Sequence, residues 1–582
     1  MKMRVDGLRS SASEPKLQQR LFGLAPLVVT ASLFVLTCCV FQPMWANNDD
    51  AVMASILRDG LPGGMYIVFS NICLSAPLAA LYHAAPSIPW WALFQIVTIG
   101  ICDVVLCKRA LERLRFRTAF MWTAFVVCQV ICMGLLVHNL QFTTTSGIAC
   151  GTGLFLMCRT TGSRRDRMTG AVLLLLGLLM RLEMCVVVAG AVGCLLIVKV
   201  VGRWLADRRS SKGTSLLSIA TSGDARAIAS HALLVFLAFA ICSVVHIVAY
   251  SQEDLRSYTS YNDARSLYTD YPHATYSEYP AVFDELGWDS NLEVLANNFY
   301  CMDENITTES FNRIVSLRDS SVFATPSKAD IWVMLCIMPL AFVLSLLCAS
   351  STSSRVTVMM FGAMYYVLVV GLMVVGRLPT RVTVGISLTF LGLLGSFMEE
   401  FPQSNKGPSP KAERLVAALS WAFMGALVVG SAAFGRHTWS PATQALKAQG
   451  AQIVRDVHED ATRHPDDVFV EDITVVTNAR YNALTTNGNE VQNVVFWGGW
   501  EYGSPRYENK LEALGLSRDR SLALLRNNCY FYTLGTMDEL SKQCLLSYLQ
   551  NKCKGDVEAS PIRSYPSGLT VYKLHRIDNS LD

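Results

Sequence analysis

Two adjacent carboxylates, Asp49 and Asp50, stand directly after an apolar run and behind Asn47 and Asn48. A carboxylate at a membrane surface can take the proton of an attacking hydroxyl or hold a divalent cation. It can also do no chemistry at all, because Asn48 or Asp49 in this pattern caps a solvated helix over 50–58. The cations that could work with such an acid are Arg58, Arg181, Arg265, Arg377 and Arg381. The planar fork of arginine matches phosphate oxygens, and fixed cations stabilise negative charge as it develops on a departing phosphate. Arg181 and Glu183 interrupt a long apolar stretch, 168–201, where ionisable side chains are costly and often functional. The same two residues also fit the tip of a hairpin, paired with one another at headgroup level. Arg377 and Arg381 suit ordinary phospholipid contact as well.

Aromatic residues supply a second group of candidates. Tyr261 and Tyr271 belong to a tyrosine-rich stretch, and Trp497 and Trp500 lie in Phe496-Trp497-Gly498-Gly499-Trp500-Glu501-Tyr502. Exposed rings of this kind stack on sugars; buried ones pack a core, and tyrosine is also enriched at membrane interfaces. Asp103, His138 and His246 read as structural polar residues. There is no P-loop, dinucleotide-binding glycine pattern, serine elbow or HExxH motif, which argues against an ATP-driven pump or a familiar hydrolase.

The elements that must position these residues are membrane helices. Of 582 residues, 52% are hydrophobic and only 16% charged, and the mean hydropathy is +0.34. Soluble domains carry about 25% charged residues. Apolar runs near 21–45, 88–107, 118–139, 144–158, 168–181, 184–201, 231–250, 329–349, 356–376, 382–399 and 413–434 are each candidates to cross a bilayer. The expected fold is therefore an α-helical polytopic membrane protein of about 11 spans with an extracytoplasmic α/β domain at its C-terminus.

Orientation follows from lysine and arginine. Roughly 24 of them fall in the alternate segments assigned to the inside, and roughly four in the short turns outside. They include Lys2, Arg4, Arg9, Lys16 and Arg20, then Lys108 to Arg117, Arg159 to Arg167, and Lys199 to Lys212. The N-terminus (1–20) is expected in the cytoplasm and the C-terminus outside. The rule also keeps the apolar stretch 65–82 from crossing, since the next run would then carry Lys108 and four arginines to the outer face. That leaves 51–85 as two interfacial helices, with Trp90 and Trp91 at the bilayer entry. The first run is expected to be an uncleaved anchor, because Met44-Trp45-Ala46 is a poor small-x-small cleavage site.

Within a membrane domain spanning 21–434, outer loops cover 46–87 and 251–328. The final segment, 435–582, alternates helix-like patterns (445–462, 506–514, 537–549) with strand-like ones (468–476, 491–497, 529–533, 569–574), the signature of a small α/β domain. Among the 18 cysteines there is no CxxC pair; a disulfide among Cys529, Cys544 and Cys553 is open. The small net charge of +3 gives no reason to expect nucleic acid.

The arrangement Trp45-x-x-x-Asp49-Asp50, a short helix, Arg58-Asp59-Gly60 and interfacial apolar helices resembles the first outer loop of the GT-C glycosyltransferases. So do the layout of spans and C-terminal domain, and the pieces Arg181-Leu182-Glu183, Asn262-Asp263-Ala264-Arg265 with Asp270-Tyr271, and Gly376 to Arg381. The resemblance covers most of the chain in layout, while its sharp motif is a few residues. It implies a multi-pass bacterial cell-membrane enzyme that inverts at the sugar as it moves it from a polyprenyl-phosphate donor to a cell-envelope glycan or polymer. In that reading Asp49 is the base and Asp50 its partner or the ligand of a divalent metal (Mg or Mn), the two roles being interchangeable. The five arginines would hold the donor phosphate, while Glu183, Tyr261, Tyr271, Trp497 and Trp500 would meet acceptor or sugar. The rival classes are a transporter or flippase of lipid-linked glycan, which needs polar residues through the middle of several spans, and a non-catalytic glycan-binding membrane protein.

Overall fold

The computed structural model describes residues 16–113, 126, 129–130, 133–158, 163–190, 193, 223–318, 323–349, 352–399, 410–485 and 491–577. Most of them are helical. Among the described residues four helices are long and apolar enough to cross a membrane: Trp90–Lys108, Arg226–Ala249, Lys328–Leu347 and Arg355–Val374. Shorter apolar helices at Leu27–Val40, Phe142–Cys158, Thr380–Leu391 and Ala418–Gly430 coincide with further expected runs. Most of 118–139 and the second half of 184–201 lie outside the described residues, as do Lys2, Arg4, Arg9, Arg115, Arg117, Arg159, Lys199, Arg203, Arg208, Arg209 and Lys212.

The helices that matter for the site are α1 (Lys16–Val40), α2 (Asn48–Arg58), α3 (Ile72–Ala84), α4 (Trp90–Arg113), α5 (Phe142–Cys158), α6 (Arg164–Met180), α7 (Gly223–Ala249), α8 (Glu253–Asp270) and α9 (Thr380–Glu399). The stretch 51–85 folds as α2, a 3-10 turn at Gly63–Met65, and α3. Its apolar side buries Met53, Leu57, Leu78 and Tyr82 against Trp91 of α4, and the Tyr82 hydroxyl accepts the Trp91 backbone N–H at 3.1 Å. The start of α3 is fixed by Asn71, whose side chain accepts from the Cys73 N–H at 3.0 Å. By contrast α7 turns Leu233, Phe236, Ile241 and Val248 outward, a surface that hydrocarbon would cover and water would not.

At the C-terminal end, α10 (Pro441–Arg463) leads into a five-stranded sheet of order β2-β1-β3-β5-β4. Its strands are β1 (Val468–Glu471), β2 (Val494–Phe496), β3 (Cys529–Leu534), β4 (Val557–Ser564) and β5 (Leu569–Arg576). β1 pairs in parallel with β2 and β3, and β5 runs antiparallel to both β3 and β4. The strand expected over 468–476 stops at Glu471. Asp472 accepts from the N–H groups of Thr474 and Val475, which starts the short helix Ile473–Asn478. β4 is an addition to the expected set, since its Glu558, Ser560 and Pro561 give no apolar alternation.

Segments 251–328 and 435–582, separate in the sequence reading, share one core. Tyr268, Phe283, Trp288, Tyr300 and Phe311 from the first pack with Val470, Trp497, Phe531 and Leu545 from the second. Gly498 makes their closest approach: a Cβ there would lie 1.6 Å from the Phe299 carbonyl oxygen, so only glycine fits. Beside it the Cys301 N–H donates to the Trp497 carbonyl at 3.0 Å. Cys301, Cys529, Cys544 and Cys553 are all free thiols, so the disulfide left open by the sequence is not formed.

Candidate functional site

The acid pair separates at once. Asn47, with φ −144°, is the N-cap of α2, and the first helical turn holds both carboxylates, where the helix dipole favours negative charge. One residue of rotation then sends the two side chains into different surroundings.

Asp50 is fully buried. One carboxylate oxygen accepts from Trp91 Nε1 at 3.0 Å and Gln95 Nε2 at 2.7 Å, and the other accepts from the Phe142 backbone N–H at 3.3 Å. Gln95 is itself held by the Thr145 hydroxyl, which donates to Gln95 Oε1 at 3.1 Å. Asp50 thus joins α2, α4 and α5. Burial pushes its carboxyl up to about 7 against the pull of these donors. Both oxygens are taken by N–H groups, and among the described residues no three His, Cys, Asp or Glu side chains gather in a metal-binding group. The site does not fit a divalent metal at Asp50.

Asp49 is half-buried, and its carboxylate accepts from Asn47 Nδ2 at 2.8 Å. Burial raises its carboxyl, and Asp270 adds to this, while Arg381 and then Arg265 pull it back down. These charges come from separate elements. Arg265 lies on α8, only 4% exposed, with Nη2 donating to Asn262 Oδ1 at 2.9 Å, Nη1 to Thr269 at 3.2 Å, and a buried Nε that meets no partner among the described residues. Arg381 sits in the first turn of α9, its backbone carbonyl accepting from the Thr144 hydroxyl of α5 at 3.4 Å.

Arg377 reaches the same place through a helix stop. Gly376, at φ +87°, ends the preceding helix, and the Gly376 and Arg377 N–H groups return to the Met373 and Leu372 carbonyls. Arg377 then pairs with Asp270 at 2.8 Å and lies 5.3 Å from the centre of the Tyr271 ring. Arg318, which the sequence reading passed over, faces the same ring at 5.5 Å.

Arg181 is the extended residue that stops α6. It pairs with Glu183 at 2.9 Å and rests over the rings of Phe69 and Phe142, at 5.0 and 5.6 Å. Its other charged neighbours are Arg381, Arg377 and Asp49. Two of the arginines are thus matched by their own carboxylates, Glu183 and Asp270. Arg265 and Arg381 are left to face Asp49.

Five of the sequence candidates lie elsewhere. Asp50 is in the helix junction just described. Arg58 closes the far end of α2, roughly 13 Å along the helix axis from Asp49, near Tyr82. Tyr261 packs on Phe311 and Tyr502. Trp497 is 3% exposed, stacked on Phe531 and hydrogen-bonded through Nε1 to the Asn298 carbonyl. Trp500 is buried against Phe69, directly behind the ring that carries Arg181. The arrangement therefore offers a half-buried carboxylate facing two cations that have no carboxylate of their own among the described residues. That combination can take a proton from a hydroxyl and hold a phosphate beside it.

Comparison with protein-family models, with characterised proteins and with solved structures finds no match to this chain.

Proposed function

We propose that this chain is an inverting, GT-C-like glycosyltransferase of a bacterial cell membrane, with the N-terminus cytoplasmic and the sheet-bearing domain outside. It moves a sugar from a polyprenyl-phosphate donor to a glycan or polymer of the cell envelope. The observation that carries this reading is the meeting of Asp49, from the first loop, with Arg265 and Arg381, from two distant segments.

In the proposed step Asp49 accepts the proton of the acceptor hydroxyl as its oxygen attacks the anomeric carbon. The bond from that carbon to the phosphate oxygen breaks on the opposite face, and the electron pair leaves with the lipid phosphate. Arg265 and Arg381 meet the charge that appears there, with Arg181 and Arg377 completing the positive wall. Burial raises the Asp49 carboxyl, which makes it a stronger base than a solvated aspartate, while Arg381 and Arg265 oppose that rise. Asp50 holds α2 in place. A transporter of lipid-linked glycan would need polar groups deep in the spans, whereas these charges gather where helices end.

Asp49→Asn keeps the hydrogen bond from Asn47 and the shape of the site but removes the base. Sugar transfer by membranes carrying this variant is expected to fall by about a hundredfold or more, with an unchanged unfolding temperature. Full activity in that variant would overturn the mechanism.

A further inference from the structure

The face of α2 turned away from Asp50 borders a cavity of about 160 Å³ between this helix, α10 and the sheet. A water needs roughly 10–15 Å³ of such space, so the cavity admits a ligand of roughly ten non-hydrogen atoms. Its walls are largely aliphatic, with Val52 of α2, Ile453 and Val457 of α10 and Val494 of β2 among them. Polar groups enter from Asn48 and Ser55 of α2, from His458, and from Glu471, Glu501, Arg506 and Lys510 on the sheet side.

One of these groups has a bare polar atom, and a second is a buried carboxyl at the wall. His458 Nδ1 is buried and finds no partner among the described residues. The Glu471 carboxyl ends β1, where burial raises it to about 7 with Lys510 and Asp472 as its charged neighbours. Unpaired polar atoms against an aliphatic wall are costly unless something completes them.

The same cost selects the ligand. A cation would meet Lys510 and the guanidinium of Arg506; an anion would meet Glu471 and Glu501. A sugar carries hydroxyls on every side, so those turned towards Val52, Ile453, Val457 and Val494 would meet no partner there. A single hydroxyl can donate to one group and accept from another, and a hydrocarbon body suits the rest of the wall.

We infer that this cavity is a second ligand site that takes an uncharged aliphatic alcohol, its chain against Val52, Ile453 and Val494 and its hydroxyl between Glu471 and His458. The site is separate from the Asp49 cluster, and the inference does not rest on glycosyl transfer.

The test uses the full chain in lipid nanodiscs, an octanol carrying a photoreactive aliphatic diazirine, and adduct mapping by peptide mass spectrometry. Adducts on α7, which faces outward, report simple partition into lipid and serve as the internal standard. Saturable adducts are expected on 453–458 and 491–495, competed by plain octanol and not by glucose. Glu471→Ala keeps the walls and removes one head-group partner, and is expected to weaken the saturable labelling about fivefold. Val494→Trp fills the space and is expected to abolish it. Labelling confined to α7, labelling of the cavity that does not saturate, or competition by glucose alone would each overturn the inference. The wild-type competition decides the matter even where a variant folds poorly.

Discussion

Asp49 and Asp50 have the same side chain and adjacent positions, yet a step of roughly 100° around α2 gives them unrelated environments. Asp50 collects three N–H donors from two other helices. Replacing it by alanine leaves those donors buried without an acceptor, which is expected to lower stability by about 3 kcal/mol, read as a drop in unfolding temperature in nanodiscs. The pH dependence has a defined sign. The Asp50 carboxyl rises from its ordinary 3.8 to about 7 on folding, so the folded state binds the proton more tightly than the unfolded one. Its stabilising contribution is complete below the unfolded value and is lost as pH rises through about 7. Wild-type protein is expected to unfold at lower temperature at pH 8 than at pH 5, and Asp50→Asn to lose the part of that difference owed to Asp50, the part from the similarly raised Glu471 remaining. An identical slope in both proteins would show that this carboxyl does not titrate as described. None of this was legible in the sequence, because the partners are Trp91, Gln95 and a backbone N–H of Phe142. The cations were legible by type: Arg181, Arg265 and Arg381 interact with Asp49, and Arg377 joins them through Asp270; Arg58 does not, since it follows α2 to its other end.

At the scale of elements, periodicity carried far. The stretch 51–85 folds as two helices, and 441–463, 505–513 and 540–553 lie within a few residues of their expected ranges. The failures have local physical causes. A capping aspartate at 472 turns a β-like run into a helix, and β4 hides behind polar residues and a proline. For Trp497-Gly498-Gly499-Trp500 the sequence left exposed and packed rings both open; both tryptophans are buried, and Gly498 serves close packing against Phe299. Gly498→Ala is expected to cost about 3 kcal/mol or more, since the added methyl meets a backbone carbonyl that cannot move without disrupting the Cys301 to Trp497 hydrogen bond. Protease sensitivity of the sheet-bearing unit checks this: cleavage within 251–318 should appear at lower protease concentration than in the wild type, and an unchanged pattern would count against so tight a junction.

Across the whole molecule, residues 251–318 and 468–577 close over one core although a long helical stretch separates them. That union brings Arg265, on α8, to Asp49 while the Tyr258 hydroxyl of the same helix donates to the Trp500 carbonyl at 2.8 Å. No sequence pattern records which distant segments will meet, so the charged cluster could be listed in advance but not assembled. The proposed topology puts this unit outside and the start of α6 inside. Counted above the labelling of the native free thiols in wild-type protein, a membrane-impermeant maleimide is expected to label Glu285→Cys in intact cells, and Arg165→Cys only after lysis. Labelling of both in intact cells, or the reverse order, would contradict the orientation.

The central claim is that Asp49 acts on a lipid-linked sugar held by the arginines around it. Mass spectrometry of lipids that co-purify with the wild-type protein and with Asp49→Asn, gently extracted from native membranes, tests it most directly. A polyprenyl-phosphate sugar is expected in both samples and enriched in the variant, where donor binds and transfer is blocked; its mass would name the sugar. Absence of any such lipid from both samples would contradict the claim and shift the assignment towards a non-catalytic or transport protein.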